Sequence, residues 1–240
     1  MDDLKPSERI LCALDTIDTK TACDLASKLA PHVGGVKLGL EFFGANGPQG
    51  FMEVSKSHQN IFLDLKLHDI PNTVAKAVHS LMPLRPRIMT IHTAGGSEMM
   101  AAAAQAANEA AKNVGCKRPI IVGVTILTSL DEDDLGKIGY QNNVSEQVVR
   151  MATLAKESGL DGVVCSSHEI TLIKNVCGKE FKLVVPGIRP AGSSSGDQKR
   201  IMTPKEAVDR GADYLVIGRP ITQADDPIAA AAMIAEEING

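Results

Sequence analysis

Tryptophan is absent from the 240 residues, and only two Tyr and five Phe supply aromatic rings. No Lys- or Arg-rich tract compensates. Net charge is −4 and the pI is near 5.9. A chain this acidic and this poor in stacking side chains does not have the make-up of a general nucleic-acid binder. A small anionic substrate stays open, because local charge arrangement decides that. Cysteine is sparse as well: Cys12, Cys23, Cys116, Cys165 and Cys177 are odd in number and scattered, with no CxxC or Cys/His spacing for zinc. Reduced thiols in a cytoplasmic protein are the expectation. No apolar run approaches the roughly 20 residues of a membrane span, and the opening MDDLKPSERI is too polar for a signal peptide. Neither a GxGxxG turn nor a P-loop is found, which weakens a Rossmann-type reading.

What is present is an alternation. Short Ile/Val/Leu runs (ERILCALD, GVKLGL, NIFLDLKL, RIMTIHTA, PIIVGVTIL, DGVVCSS, FKLVVPGI, DYLVIGRPI) are each followed by a segment of helical period, such as TKTACDLASKLAPHV after the first. After GVKLGL a Gly-rich turn leads into a helix over GFMEVSKSHQ, and the Ala-rich helix SEMMAAAAQAANEAAKNVG closes on Gly115. Strands alternating with helices predict a parallel sheet. Eight such units in a chain of this length fit a closed (β/α)8 TIM barrel, an α/β fold, better than an open sheet, since such barrels run to about 250 residues as one unit. No linker or composition shift divides the chain, so one domain over residues 1–240 is expected.

In a barrel, chemistry belongs where strands end and their following loops begin. The polar residues at those ends are Asp15, Lys37, Asp64 with Lys66, His92, Thr128 with Ser129, Arg189 and Arg219. NIFLDLKLHD is the most unusual segment. Strand side chains alternate faces, so Asp64 and Lys66 share one face and Leu63, Leu65 and Leu67 the other. The leucines would pack on helices while the charged pair lines the barrel mouth. Asp15 and Lys37 hold comparable places on the two preceding strands, so three adjacent strands deliver two carboxylates and two ammoniums to one region. A self-neutralising ion-pair network is a weak route to stability. Preorganised charges around a Lys able to transfer a proton are the functional reading. Asp69 lies an odd number of residues from both, so either the strand has ended before it or it faces a neighbouring subunit.

The pattern Asp-x-Lys-x-x-Asp in DLKLHDIPNTV resembles the signature of the orotidine 5′-phosphate decarboxylase family. CALD at Asp15, VKLGLEFF at Lys37, IHTAGG, VTILTS, DGVVCS, PGIR and VIGRPI extend the resemblance from Asp15 to the last helix. The three-residue pattern alone is shared with hexulose-phosphate synthase and ketogulonate-phosphate decarboxylase relatives; the flanking IPNTV, LTS and PGIRP favour the orotidylate enzymes. The resemblance implies the following roles. Lys66, Asp64, Asp69 and Lys37 form the catalytic set. Asp15 and Lys37 bind ribose hydroxyls, and Thr128 positions the pyrimidine. Arg189, Gln198, Gly218 and Arg219 hold the phosphate. Asp69, Ile70 and Thr73 reach the partner's site across a homodimer. It implies no metal and no organic cofactor.

The phosphate end also has a reading of its own. PGIRPAGSSSGDQKR follows the seventh strand, and IGRP follows the eighth. Glycine lets backbone N–H groups approach an anion, Arg offers a bidentate fork, and barrels bind phosphate between these two loops. Ser193, Ser194 and Ser195 are left unassigned. The acidic run Asp131, Glu132, Asp133 and Asp134 reads as a solvated loop or helix start rather than a metal site. His68 and His92 are candidates to support the site from behind, with His92 read as a structural hydrogen-bonder. The nearest alternative is an aldolase of the hexulose-phosphate synthase kind, dependent on a divalent metal. A nucleotide-binding barrel without catalysis sits poorly with the Asp64/Lys66 pair.

Overall fold

The computed structural model describes residues 4–141, 143–190 and 202–240. Eight parallel strands close on themselves in sequence order: β1 (Ile10–Ala13), β2 (Gly35–Gly39), β3 (Ile61–Leu67), β4 (Ile88–His92), β5 (Ile120–Val124), β6 (Gly162–Val164), β7 (Lys182–Pro186) and β8 (Tyr214–Ile217). The closure is the β1–β8 pairing, with Ile10 opposite Leu215. This is the (β/α)8 barrel that the alternation predicts.

Each strand's pleat sends one set of side chains inward and the other out. Leu11, Phe62, Ile88, Val122, Val184 and Tyr214 meet inside the barrel and plug its lower half. Their neighbours Ile10, Cys12, Ile61, Leu63, Met89, Ile121, Leu183 and Leu215 belong to the second core, between the sheet and the surrounding helices. Leu65 and Leu67 pack against that outer core, as the alternation of faces predicts.

The helices are α1 (Thr19–Leu29), α2 (Leu40–Ser57), α3 (Pro71–Leu81), α4 (Gly96–Val114), α5 (Glu132–Lys137), α6 (Val144–Glu157), α7 (Ile170–Cys177), α8 (Pro204–Asp209), α9 (Arg219–Thr222) and α10 (Pro227–Asn239). Several of their starts follow capping chemistry. Asp18 accepts from both the Thr21 hydroxyl and the Thr21 N–H at the head of α1, and these bonds, the hydroxyl's first, hold its carboxyl below the usual range. Thr203 and Glu206 cap α8 reciprocally.

Two details differ from expectation, and a third follows it. The segment expected as a Gly-rich turn is helical from Leu40 and breaks at Gly47 (φ 57°), because Pro48 cannot continue the preceding hydrogen-bond ladder. The last strand stops at Ile217, and Arg219 already opens the short α9. The acidic run is a helix start, with Asp131 accepting from Asp134 N–H at 3.1 Å. No helix among the described residues is long and apolar enough to cross a membrane.

Candidate active site

At the carboxyl ends of the strands lies a cavity of about 280 Å³. Its charged wall is built strand by strand. Ala13 pairs with Lys37 across β1 and β2, which sets Asp15, two residues on, beside the Lys37 ammonium. Nζ to Oδ1 is 3.0 Å, with Lys37 nearly buried and Asp15 open to solvent. Gly39 pairs with Asp64 across β2 and β3. A Cβ on Gly39 would stand 2.8 Å from Lys37 Nζ, so the glycine is what leaves room for that ammonium.

On β3 the Lys66 ammonium donates to Asp64 Oδ2 at 2.9 Å. The side chains are 30% and 13% exposed, open enough to meet a ligand yet shielded enough that their attraction is not lost to water. Both line the cavity, as face-sharing predicts. The route is not a plain pleat, however. The register between β3 and β4 slips between Leu63 and Leu67, and Lys66 adopts φ 50°. The Asp64 carboxylate is held from its other side by the buried Thr90 hydroxyl, Oγ1 to Oδ1 2.9 Å.

The apolar wall comes from β5 to β7: Val124, Ile126, Val164, Cys165 and Pro186, with Thr128 at its edge. Burial pushes the Cys165 thiol well above its ordinary range, so it stays protonated and acts as a small apolar surface. Cys12, on β1 behind the charged wall, is pushed up to about 12, chiefly by burial and then by the charge of Asp15. Opposite the Asp64/Lys66 pair, Arg189, Gly218 and Arg219 close the cavity. Arg189 is buried. Its backbone N–H donates to Met202 at 3.1 Å beside the Ile188–Met202 bridge, and its Nη1 donates to Ile188 O at 3.0 Å. Gly218 is the N-cap of α9, next to Arg219 at its first turn.

One chain therefore brings together Asp15, Lys37, Asp64, Lys66, Thr128, Arg189, Gly218 and Arg219 around one cavity. It does not bring Asp69, Ile70 or Thr73 there. The strand has ended at Leu67, and all three are exposed, with Asp69 accepting from Ile70 N–H at 2.7 Å at the start of α3. Gln198, like Ser193, Ser194 and Ser195, lies outside the described residues. His92 stacks on His68, centroids 5.3 Å apart, and its Nδ1 accepts only a long 3.5 Å bond from Ala94 N–H. Burial first, then His68 and Lys66, lower its pKa, so the ring favours its neutral form. Sequence reasoning passes over Thr90 and Gly39. A Thr inside an apolar strand is an ordinary strand former, and a Gly at a strand end reads as a turn. No local pattern marks either; it is the barrel's register that sets Gly39 opposite Asp64 and Thr90 opposite the Asp64–Lys66 segment.

The sequence and the fold were compared with known proteins. A family model described as orotidine 5′-phosphate decarboxylase / HUMPS family matches residues 8–234. The chain is 51% identical over 229 residues to the orotidine 5′-phosphate decarboxylase of Paramagnetospirillum magneticum, covering 95% of this chain and 97% of that one. It is 50% identical over 232 residues to that of Moorella thermoacetica, covering 96% and 92%. The crystal structure of orotidine 5′-phosphate decarboxylase from Lactobacillus acidophilus superposes with a TM-score of 0.85 at 38% identity, covering 96% of this chain and 99% of that one. A cavity charged at one end by paired Asp and Lys and at the other by Arg thus sits on a sequence aligned nearly end to end with such proteins, and the chain belongs to the orotidine 5′-phosphate decarboxylase / HUMPS family.

Proposed function

We propose that this chain decarboxylates orotidine 5′-phosphate to UMP and carbon dioxide, the last step of de novo UMP biosynthesis, with Lys66 as the proton donor. The observation that carries the reading is the Lys66–Asp64 pair, 2.9 Å apart, facing Arg189 and Arg219 across one cavity. The substrate has an anionic carboxylate at one end and a phosphate at the other, and the cavity has cations at both.

The bond from C6 to the carboxylate carbon breaks, carbon dioxide leaves, and the electron pair stays on C6. That pair lies in the ring plane, where the pyrimidine π-system cannot take it up. A fixed positive group at C6 must stabilise it, and the Lys66 ammonium supplies both the charge and the proton that completes UMP. Solvent then reprotonates the amine. Asp64 would stand beside the departing carboxylate. Two like charges about 4 Å apart repel by about 4 kcal/mol at an effective dielectric near 20, which is too little for the main effect. Preorganised charge around Lys66 carries more. Asp15 and Lys37 hold ribose hydroxyls, and Thr128 and the apolar wall flank the base. Arg189, Gly218, Arg219 and Gln198 hold the phosphate, whose binding energy orients the reacting carbon. No metal or organic cofactor enters this scheme.

The working unit in this reading is a cytoplasmic homodimer of one-domain barrels. Asp69, Ile70 and Thr73 complete the partner's site. Their exposure beside the cavity mouth supports this, since none of them reaches the chain's own cavity.

The test is decarboxylation of orotidylate by chelator-treated enzyme, followed by loss of substrate absorbance. Wild type should be unaffected by chelator, and Lys66→Ala should lose more than about 10³-fold in kcat. Activity that needs a divalent metal would point to the aldolase-like relatives instead. Near-normal turnover by Lys66→Ala removes Lys66 as the donor.

A further inference from the structure

β3 and β4 run out of step at one place only. Leu63 lies opposite Met89 and Leu67 opposite Ile91, so β3 fits Asp64, Leu65 and Lys66 into the span where β4 has Thr90 alone. The surplus residues bow out of the ladder. Lys66 absorbs the turn with φ 50°, a left-handed conformation that strains a residue carrying a β-carbon. A bulge of this kind re-aims a side chain, here the ammonium that returns to Asp64 Oδ2.

The bulge also takes Lys66 N–H away from any strand partner, and a buried amide must find another acceptor. It donates to Thr90 Oγ1 at 2.8 Å. A hydroxyl has one hydrogen to give, and since the amide can only donate, that hydrogen goes to Asp64 Oδ1, 2.9 Å away. The direction of both bonds is thereby determined. One oxygen of Asp64 is held by Thr90 and the other by the Lys66 ammonium, while the Lys66 backbone is held by the same hydroxyl. Thr90 is 1% exposed and stands behind the cavity wall, out of reach of a ligand.

We infer that Thr90 is a positioning residue for this site: its hydroxyl locks the left-handed turn at Lys66 and the orientation of the Asp64 carboxylate as one unit. The inference rests on the reading of Lys66 as proton donor. It differs from that reading in naming a group that never touches substrate.

The test compares Thr90→Val, which keeps the shape and removes the hydroxyl, with Thr90→Ser, which keeps the hydroxyl and removes a methyl. Wild type and Lys66→Ala run alongside. Thr90→Val should lose about 10- to 100-fold in kcat, the usual result of misplacing a reacting group by about an ångström. KM and UMP affinity should stay within about threefold, because the binding residues are untouched. Thr90→Ser should recover most of the loss. Thr90→Val turnover within twofold of wild type, or equal losses in Val and Ser, overturns the inference. If Thr90→Val does not fold, the Ser and Ala variants give the same comparison, and equal kcat values overturn it. Failure of the functional reading shows separately, as inactivity of wild type or full activity of Lys66→Ala. In that event the lock is read without turnover, from the chemical shift of the Lys66 signal at fixed pH in protein carrying ¹³C-labelled lysine, assigned by its loss in Lys66→Ala. The signal should move in Thr90→Val and hold in Thr90→Ser, and a signal unmoved by Val sinks the inference.

Discussion

Lys37 and Lys66 reach the same cavity by opposite means. Lys66 is carried there by a distorted backbone, whereas Lys37 comes off a regular strand and depends on what is missing beside it. Gly39 has φ −100° and ψ −167°, an extended conformation that alanine adopts without strain. Its pro-chiral position nevertheless faces the Lys37 ammonium at 2.8 Å. Gly39→Ala should therefore leave the fold intact and displace only the tip of Lys37 from Asp15. The expected outcome is a KM for orotidylate raised about 10-fold, the scale of one lost charge-assisted hydrogen bond, with the melting temperature within about 2 °C of wild type. Parallel kinetics and thermal melts check it. An unchanged KM would mean that the Lys37–Asp15 contact does not set ribose affinity. At this scale the charged groups are legible in the sequence, because an Asp or Lys inside an Ile/Leu run has no cheap structural excuse. Their supports are not. Whether Thr90 faces Asp64 depends on inter-strand register, and no local pattern in DLKL or MTIH encodes the surplus residues of the bulge. Gly39 shares a strand face with Lys37, two residues away, yet a Gly at a strand end reads as a turn.

Two pairs of strands are fastened at their amino ends by the same device. Asp161, just before β6, gives its N–H to Ile121 O at 3.0 Å and takes the Ile121 N–H on its carboxylate at 2.7 Å. Asp213, just before β8, does the same with Leu183, at 3.0 and 2.9 Å. Each carboxylate is then neutralised by flanking cations: Arg118 on Asp161 at 2.6 Å, Lys174 and Lys182 on Asp213 at 2.8 and 3.1 Å. These clasps lie at the end of the barrel away from the cavity, where polar contacts serve stability. Asp213→Ala leaves two ammoniums and one strand N–H without their shared acceptor. Removing one member of a mostly buried ionic cluster should cost about 3 kcal/mol, and in a chain of this size lower the melting temperature by about 10 °C. The kcat of the protein that stays folded should not change. A melting temperature within a degree or two of wild type would show that water replaces the clasp at no cost. The strands themselves are legible from periodicity, and Gly115 and Gly159 mark helix ends as expected, both at positive φ. The clasps are hidden because an Asp before a strand looks like any turn residue.

Taken as a whole, the molecule carries a net charge of −4 that says nothing about a cavity where Lys37, Lys66, Arg189 and Arg219 converge. The same mismatch between local and global features holds at the mouth. Ile70 is 65% exposed and Leu127 40%, both at the cavity end and both too apolar to be at ease in water. Asp69 sits between β3 and α3 and is exposed, outside the lining of its own cavity. A second copy of the chain covering this face would bury Ile70 and deliver Asp69 to the neighbouring site, and the two-fold symmetry of a dimer makes the exchange mutual. The arrangement predicts complementation. Lys66→Ala and Asp69→Ala chains, each inactive alone, should regain activity when mixed and allowed to exchange subunits. In a mixed dimer one site carries both substitutions and the other neither. Random exchange makes half of the dimers mixed, so recovery should approach about a quarter of wild-type activity per site. Two differently tagged chains purified as the mixed dimer should reach about half. If Asp69 instead served its own chain, every site in the mixed dimer would lack either Lys66 or Asp69. Activity of the purified mixed dimer therefore decides between the two arrangements, and its absence in a confirmed heterodimer rules out the shared site.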